Sequence, residues 1–347
     1  MRSENDAAAP SELHGHAAIL SPSLDAPKNI GSIPLLLGVS NLASISEGAI
    51  VAISPNGRID ILYRPDSRFN TIFATGQCDS NCIMCPQPPK EDHIPSLIKE
   101  HFELLEFIRD PPCHLGISGG EPTLLGDHLV RLLSVISERF PDTPVTMLTN
   151  GRRFRDFAFT RALAAAAPKN FLSAIPLYSD TSFLHDWIVQ ARGAFQESVS
   201  GLYNAARAGL TVEIRVVLHK QTIPRLVSLM DFIYRNFPFV CHIALMGMEN
   251  MGYVKKNWNF LWIDPIDYQK QLTDAVKYLH YRGIPFSLYN LPLCVLPHVL
   301  RPFARQSISD YKKIYIDACN SCAVRADCSG LFASSNERHS RGIQAIL

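Results

Sequence analysis

Apolar positions in this chain repeat with two periods, and the change from one to the other recurs. Short runs rich in β-branched and aromatic residues stand at 71–74, 114–117, 145–148, 171–177, 211–218 and 242–245. Runs of that length and composition predict buried strands. Between them the spacing becomes helical. Leu129, Leu132, Leu133, Ile136 and Phe140 fall on one face, as do Phe195, Val199, Leu202, Tyr203 and Ala206, and then Leu226, Leu229, Met230 and Ile233. Six strand–helix units in series predict an α/β fold with a parallel sheet and right-handed crossovers. Such a series suits an open or closed barrel, in which chemistry gathers at the C-terminal ends of the strands.

The flanks read differently. Residues 1–29 are rich in Ala, Ser, Pro and polar residues and read as a mobile arm. Residues 30–69 form a small region built on a hairpin at 49–63, where Asn56-Gly57 supplies the positive-φ turn and Ile59, Ile61 and Tyr63 alternate on the return strand. The strand–helix series accounts for 70–285. Over 286–347 the helical period fades and Pro and Cys become frequent, so this stretch predicts a small module that needs a metal centre for stability.

Composition narrows the class. The chain has 347 residues, 33 Lys plus Arg against 32 Asp plus Glu, and is 47% hydrophobic. It can bury a large core, and its balanced charge argues against bulk electrostatic binding to nucleic acid. No apolar run reaches the roughly 18 residues of a membrane span, and the start lacks a cationic stretch followed by an apolar one, so a cytoplasmic protein is expected. Nine cysteines are an odd number spread over a long chain, which fits thiols or metal ligands better than a disulfide framework.

Three of those cysteines follow the first strand as Cys78-x3-Cys82-x2-Cys85. Three thiolates on one loop suit a soft metal centre, and a structural zinc site would want a fourth ligand nearby. The second strand ends in Gly119-Gly120-Glu121-Pro122, where two glycines remove side chains at a point of close backbone approach and Glu121 offers a carboxylate able to hold an ammonium group. The third ends in Thr149-Asn150-Gly151. On strand five, Arg215 is a candidate for contact with a carboxylate or ribose, or else forms an ion pair with Glu213. Cys113 and Cys241 read as small buried apolar residues within strands.

Together these motifs resemble the radical S-adenosylmethionine (radical SAM) superfamily over roughly 70–285. The resemblance implies a partial (βα)6 TIM-like barrel carrying a 4Fe-4S cluster on Cys78, Cys82 and Cys85, whose open iron chelates S-adenosylmethionine (SAM). It places Gly119, Gly120, Glu121 and Pro122 at the methionine end, Met84 near adenine, and Asn150 and Arg215 among the cofactor contacts. Reductive cleavage of SAM to a 5′-deoxyadenosyl radical that abstracts hydrogen is the implied chemistry, and beyond the cluster-bound cofactor it calls for no catalytic side chain.

Cys294, Cys319, Cys322 and Cys328 form a second set, Cys-x24-Cys-x2-Cys-x5-Cys. Four thiolates fit an auxiliary 4Fe-4S cluster or zinc. Beside a radical SAM core the set resembles the auxiliary-cluster modules called SPASM and twitch, here in shortened form. The stretches 54–59, 63–68 and 216–221 with Cys85-Pro86-Gln87-Pro88-Pro89 resemble the His-Xaa-Ser system radical SAM maturases, the third member of the cassette. That resemblance implies a ribosomally made peptide substrate, a reductant such as flavodoxin or ferredoxin, and a second radical SAM maturase as partner, with neither nucleic acid nor membrane involved. A radical SAM enzyme acting on a small molecule and a non-catalytic iron–sulfur electron-transfer protein are the alternatives.

Overall fold

The computed structural model describes residues 19–24, 35–54, 56–309 and 312–347. Most of the expected arm lies outside the described residues. What is described of it includes β1 (Ile19–Leu20), which pairs in parallel with β2 (Leu35–Leu36). β3 (Ile50–Ile53) and β4 (Ile59–Tyr63) form the antiparallel hairpin expected from the alternation. Gly57 adopts φ +83°, and the Asn56 side chain accepts from the Arg58 amide at 3.1 Å, as a turn of this chemistry requires. Pro55 of the same turn lies outside the described residues.

A strand–helix series follows. It runs β5 (Asn70–Phe73), α1 (Ile94–Phe107), β6 (Leu115–Ser118), α2 (Asp127–Arg139), β7 (Val145–Leu148), α3 (Phe157–Ala166) and β8 (Phe171–Pro176). Two helices, α4 (Ser182–Val189) and α5 (Ala194–Arg207), then lead to β9 (Thr211–Leu218), α6 (Leu226–Asn236) and β10 (His242–Gly247). The short α7 (Tyr253–Lys256) and α8 (Trp258–Leu261) precede α9 (Gln269–Tyr281), β11 (Phe286–Tyr289) and β12 (Ala304–Arg305). The strands form one sheet in the order β12-β11-β10-β9-β8-β7-β6-β5, with every neighbouring pair parallel. β5 and β12 are its two edges, so the sheet is open.

The six expected strands are present, within one or two residues at their ends, but the sheet does not stop there. β11 and β12 extend it to eight strands, so the expected division at 285/286 falls inside the sheet. β12 has only two residues, and β11, as long as β5 to β7, lies in Pro-rich sequence with no helical pattern after it to mark a strand–helix unit. The last region contributes a small antiparallel pair, β13 (Lys313–Ile314) with β14 (Leu331–Phe332), among short 3-10 turns.

The main core lies between the sheet and its helices. Val212, Ile214, Val216 and Leu218 of β9 pack there with Leu226, Leu229 and Met230 of α6, while Glu213 and Arg215 face the other way. Burying four such aliphatic side chains contributes about 1.5–3 kcal/mol each. The expected face of α2 is the buried one, but that of α5 is rotated: Ala194, Ser198, Gly201, Leu202 and Ala205 are buried and Tyr203 is exposed. Small residues were chosen because α5 approaches the chain after β7 so closely that a methyl on Gly201 would lie 2.1 Å from the Gly151 carbonyl oxygen. Cys113 and Cys241 precede β6 and β10 and are exposed, not buried within strands as expected. Both stand before the first paired residue of their strand. Among the described residues no helix is long and apolar enough to cross a membrane.

Candidate active site

The loops that leave β5, β6 and β7 meet at the C-terminal end of the sheet. The Gly120 amide donates to the Thr75 carbonyl at 2.5 Å, and the Glu121 amide to the Gln77 carbonyl at 2.7 Å. Gly119 takes φ +146°, and a methyl there would lie 2.3 Å from the Thr75 carbonyl oxygen. The two glycines are therefore required by the approach of the chain's own cysteine loop.

That loop carries Cys78, Cys82 and Cys85 and is fastened from all sides. The Gly76 amide and the Thr75 hydroxyl both donate to the Asp92 carboxylate, the latter at 3.1 Å. Arg152 donates to the Asp79 carbonyl at 2.5 Å and to the Ser80 hydroxyl at 3.0 Å, and the Asn150 side chain reaches the Asp79 carboxylate at 2.5 Å. The Asn81 and Ile83 amides donate to the Val189 and Ile188 carbonyls at the end of α4, each at 2.9 Å. Asn257 holds the Ile83 carbonyl at 2.8 Å, and the Tyr253 amide donates to the Cys85 carbonyl at 2.9 Å.

Glu121 is buried and turned toward the protein. Its carboxylate accepts from the Thr123 amide at 3.0 Å, from the Thr123 and Thr149 hydroxyls at 2.6 Å each, and from the Asn150 amide at 2.6 Å. Burial raises its pKa, against the lowering effect of those donors. The carboxylate expected to hold an ammonium group is engaged here with the loop after β7. Pro122 opens a buried 3-10 turn behind it. Met84 is buried within an apolar group that includes Tyr178, Ile188, Val189 and Val254, with Cys82 and Ile83 packed against it. Arg215 pairs with Glu213 at 2.7 Å, and Glu213 also meets His242 Nδ1 at 2.8 Å, so the ion-pair alternative for Arg215 is the observed contact.

The thiols lie in a desolvated setting. Burial, followed by a hydrogen bond from Ser80 that pulls the other way, leaves Cys78 pushed up to about 12; burial and then the neighbouring Cys85 and Cys78 push Cys82 to about 12. A thiolate here calls for a compensating cation, and soft sulfur donors suit iron–sulfur centres. Among the described residues no group of three or more His, Cys, Asp or Glu side chains is arranged around a single metal-ion position. A cluster that takes one thiolate per iron requires no such common point, and the donor set fits it. Tyr178 beside the loop is buried, and its phenol is raised well above its usual range by burial and then by Cys82 and Cys85.

The second set of cysteines shares one recess. Cys294, Cys319, Cys322 and Cys328 line one recess with Tyr315 and Arg325. The Leu293 amide points at Cys328 Sγ at 3.4 Å and the Ile346 amide at Cys322 Sγ at 3.5 Å. A neighbouring hollow, walled by Leu218, Met248, Trp262, Leu291, Phe332 and His339, lies between the ends of β9 to β11 and the C-terminal segment.

Sequence reasoning missed Asp92, Arg152, Tyr178 and Asn257. Arg152 directly follows Thr149-Asn150-Gly151, which was the available signal. Asn257 comes from far along the chain, and no local pattern marks it.

Residues 72–233 match the model of the radical SAM superfamily. The fold is similar to that of Streptococcus suis SuiB bound to S-adenosylmethionine, at 18% identity and a TM-score of 0.53, over 73% of this chain and 56% of that one. It is similar also to SuiB bound to the precursor peptide SuiA, at 19% identity and a TM-score of 0.51, over 66% of this chain and 49% of that one. The chain thus spans about half the length of the SuiB chains it matches. No curated protein matches it in sequence.

Proposed function

We propose that this protein is a peptide-modifying radical SAM enzyme of the His-Xaa-Ser maturase type. The observation that carries the reading is the three-cysteine loop clasped by the Gly119–Glu121 turn at the C-terminal end of a parallel sheet, within the stretch that matches the radical SAM superfamily model. Cys78, Cys82 and Cys85 would hold a 4Fe-4S cluster, which when bound to SAM and reduced supplies a 5′-deoxyadenosyl radical able to take hydrogen from an unactivated C–H bond. The protein's own contribution is position and exclusion of water. Gly119, Gly120 and the main chain of Glu121 would present the methionine end, with Asn150 holding the loop through Asp79 and Met84 filling the apolar side.

The C-terminal recess would hold an auxiliary 4Fe-4S cluster on Cys294, Cys319, Cys322 and Cys328. The position of all four cysteines along one recess and the two amides aimed at sulfur support that assignment. A peptide substrate is supported by the likeness in fold to SuiB, one structure of which contains the precursor peptide SuiA. A flavodoxin- or ferredoxin-type reductant and a second maturase of the same cassette complete the proposal. The apolar hollow beside the recess favours a second reading, an enzyme acting on a small molecule. Anaerobic incubation with SAM, dithionite and a His-Xaa-Ser repeat peptide, followed by mass spectrometry of both products, separates the two. A mass change on the peptide that depends on SAM supports the peptide reading. 5′-Deoxyadenosine without any peptide change across repeat-bearing candidates contradicts it.

A further inference from the structure

The hollow beside the C-terminal recess touches the surroundings of both cysteine sets. It shares Pro292, Gly330, Leu331 and Ile343 with the recess. Its wall also includes Met248 and Trp262. Trp262 stacks on Trp258 at 4.5 Å and an interplanar angle of 13°, and Met248 and Trp258 pack against the apolar group that contains Met84. With its open side included, the hollow has a volume of about 540 Å³, which is in the range of small-ligand sites.

The lining is apolar and uncharged. Among the described residues no Asp, Glu, Lys or Arg borders it, and Leu291, Val295 and Phe332 stand in its wall with Trp262. Asp264 is close by, but its carboxylate accepts from the Ser340 hydroxyl at 2.5 Å and from the Ile266 and Arg341 amides at 3.2 and 3.0 Å. Two hydroxyls interrupt the apolar surface. Tyr268 is 2% exposed and Ser335 is 6% exposed, both border the hollow, and neither hydroxyl has a hydrogen-bond partner among the described residues. The unpartnered side-chain atoms that are sealed from solvent belong instead to His114, Ser173, His219, Asn250 and Ser334. The Tyr268 and Ser335 hydroxyls are thus unmatched without being enclosed, and the open space that both residues line is this hollow. Burial, and then the charge of Asp264, raise the Tyr268 phenol, so it stays a donor. Polar groups held away from bulk water without partners are costly, and a ligand that matches them removes that cost.

We propose that the hollow binds a compact apolar group carrying an uncharged amide or hydroxyl head, with the Tyr268 and Ser335 hydroxyls bonded to the head and the apolar wall around the body. A charged head is rejected, because the lining offers no counter-charge and burial of an unpaired charge is strongly unfavourable. A side chain of a peptide and a free small molecule present the same chemistry to this site. Binding of this kind requires no particular centre on Cys78, Cys82 and Cys85, so its failure would leave the reading of that loop untouched.

Benzamide, its charged isostere benzoate, and toluene, which has no polar head, test this on the full chain purified anaerobically with its metals. Dissociation constants are measured by saturation-transfer NMR for the wild type, Tyr268→Phe and Ser335→Ala, each of which removes one oxygen and keeps the wall. Benzamide should bind the wild type at least about tenfold more tightly than benzoate, and each substitution should weaken it about five- to tenfold, as the loss of one hydrogen bond predicts, with toluene affinity kept within about twofold. No benzamide binding, equal binding of benzoate, or benzamide affinity unmoved by either substitution overturns the proposal. A parallel fall in toluene affinity overturns it too, since the hydroxyls would then only support the wall. A His-Xaa-Ser repeat peptide added to the benzamide complex distinguishes the sources: displacement assigns the group to the peptide, and retained benzamide assigns it to a free molecule.

Discussion

Gly120 and Gln77 meet backbone to backbone, so closely that a methyl group on Gly120 would lie 2.1 Å from the Gln77 carbonyl oxygen. The Glu121 amide donates to that same oxygen at 2.7 Å. Two loops, one bearing the cysteines and one bearing the glycine pair, are thereby locked into a single floor. Gly120→Ala must push them apart, at a cost of about 1–3 kcal/mol for overpacking. We expect this variant to fold and to keep whatever metal the C-terminal recess of the wild type holds, with at least a tenfold loss of SAM cleavage and depleted core iron. Wild-type rates of 5′-deoxyadenosine formation would show that the contact is not needed.

Glu121 joins the loops after β6 and β7 through four donors from Thr123, Thr149 and Asn150. Glu121→Gln replaces one accepting oxygen by an NH2 group, which sets donor against donor in a buried place. The expected penalty is about 1–3 kcal/mol, read as a lower urea midpoint and as poorer retention of the core cluster. A variant as stable as wild type, with full cluster occupancy, would mean that the carboxylate is not the clasp described.

Much of this arrangement was legible in the chain. β5 to β10 were visible because each is a compact apolar run, and the cysteine, Gly-Gly-Glu-Pro and Thr-Asn-Gly motifs stand at the ends of the first three of them. The face of α5 was not legible, because its contact with Gly151 selects small residues where a hydrophobic pattern looks for large ones. β12 was too short to announce itself, and β11 lacks the following helical pattern that marks the earlier units. Glu121 was read as a ligand contact and Arg215 as a ligand contact or a partner of Glu213; the fold adds that Glu121 accepts from Thr149 and Asn150 of the next loop, and the Arg215–Glu213 pair is formed. Asn257 and Tyr178 reach the cysteine loop by tertiary packing alone, which no local spacing encodes.

Acid should weaken the fold through two buried histidines. His219 has no exposure, its Nδ1 accepts from the Gln221 amide at 3.2 Å, and its Nε2 has no partner among the described residues. Burial lowers its pKa from 6.5 to about 3, and burial lowers that of His185 to about 4. The unfolded chain binds these protons first, so the stability contributed by the neutral rings is whole above pH 6.5 and is lost as pH falls toward 3 to 4. Urea midpoints should therefore drop between pH 7 and pH 5. His219→Asn should show a smaller drop. Equal pH dependence in wild type and variant would contradict the assignment.

The C-terminal recess makes a stoichiometric prediction. If Cys294, Cys319, Cys322 and Cys328 hold a second 4Fe-4S cluster, anaerobic reconstitution should give about eight iron per chain. Replacing Cys319 and Cys322 by Ala should lower this to about four while SAM cleavage continues. About four iron with one zinc in the unmodified protein would assign the recess to zinc instead.

The central claim is that the loop after β5 carries the centre that cleaves SAM. The most direct measurement is anaerobic formation of 5′-deoxyadenosine from SAM and dithionite by the wild type and by the Cys78→Ala, Cys82→Ala, Cys85→Ala triple variant, with metal content determined on both. The wild type should produce 5′-deoxyadenosine. The triple variant should produce none above the protein-free background while retaining the metal of the C-terminal recess. Undiminished 5′-deoxyadenosine from the triple variant would contradict the account.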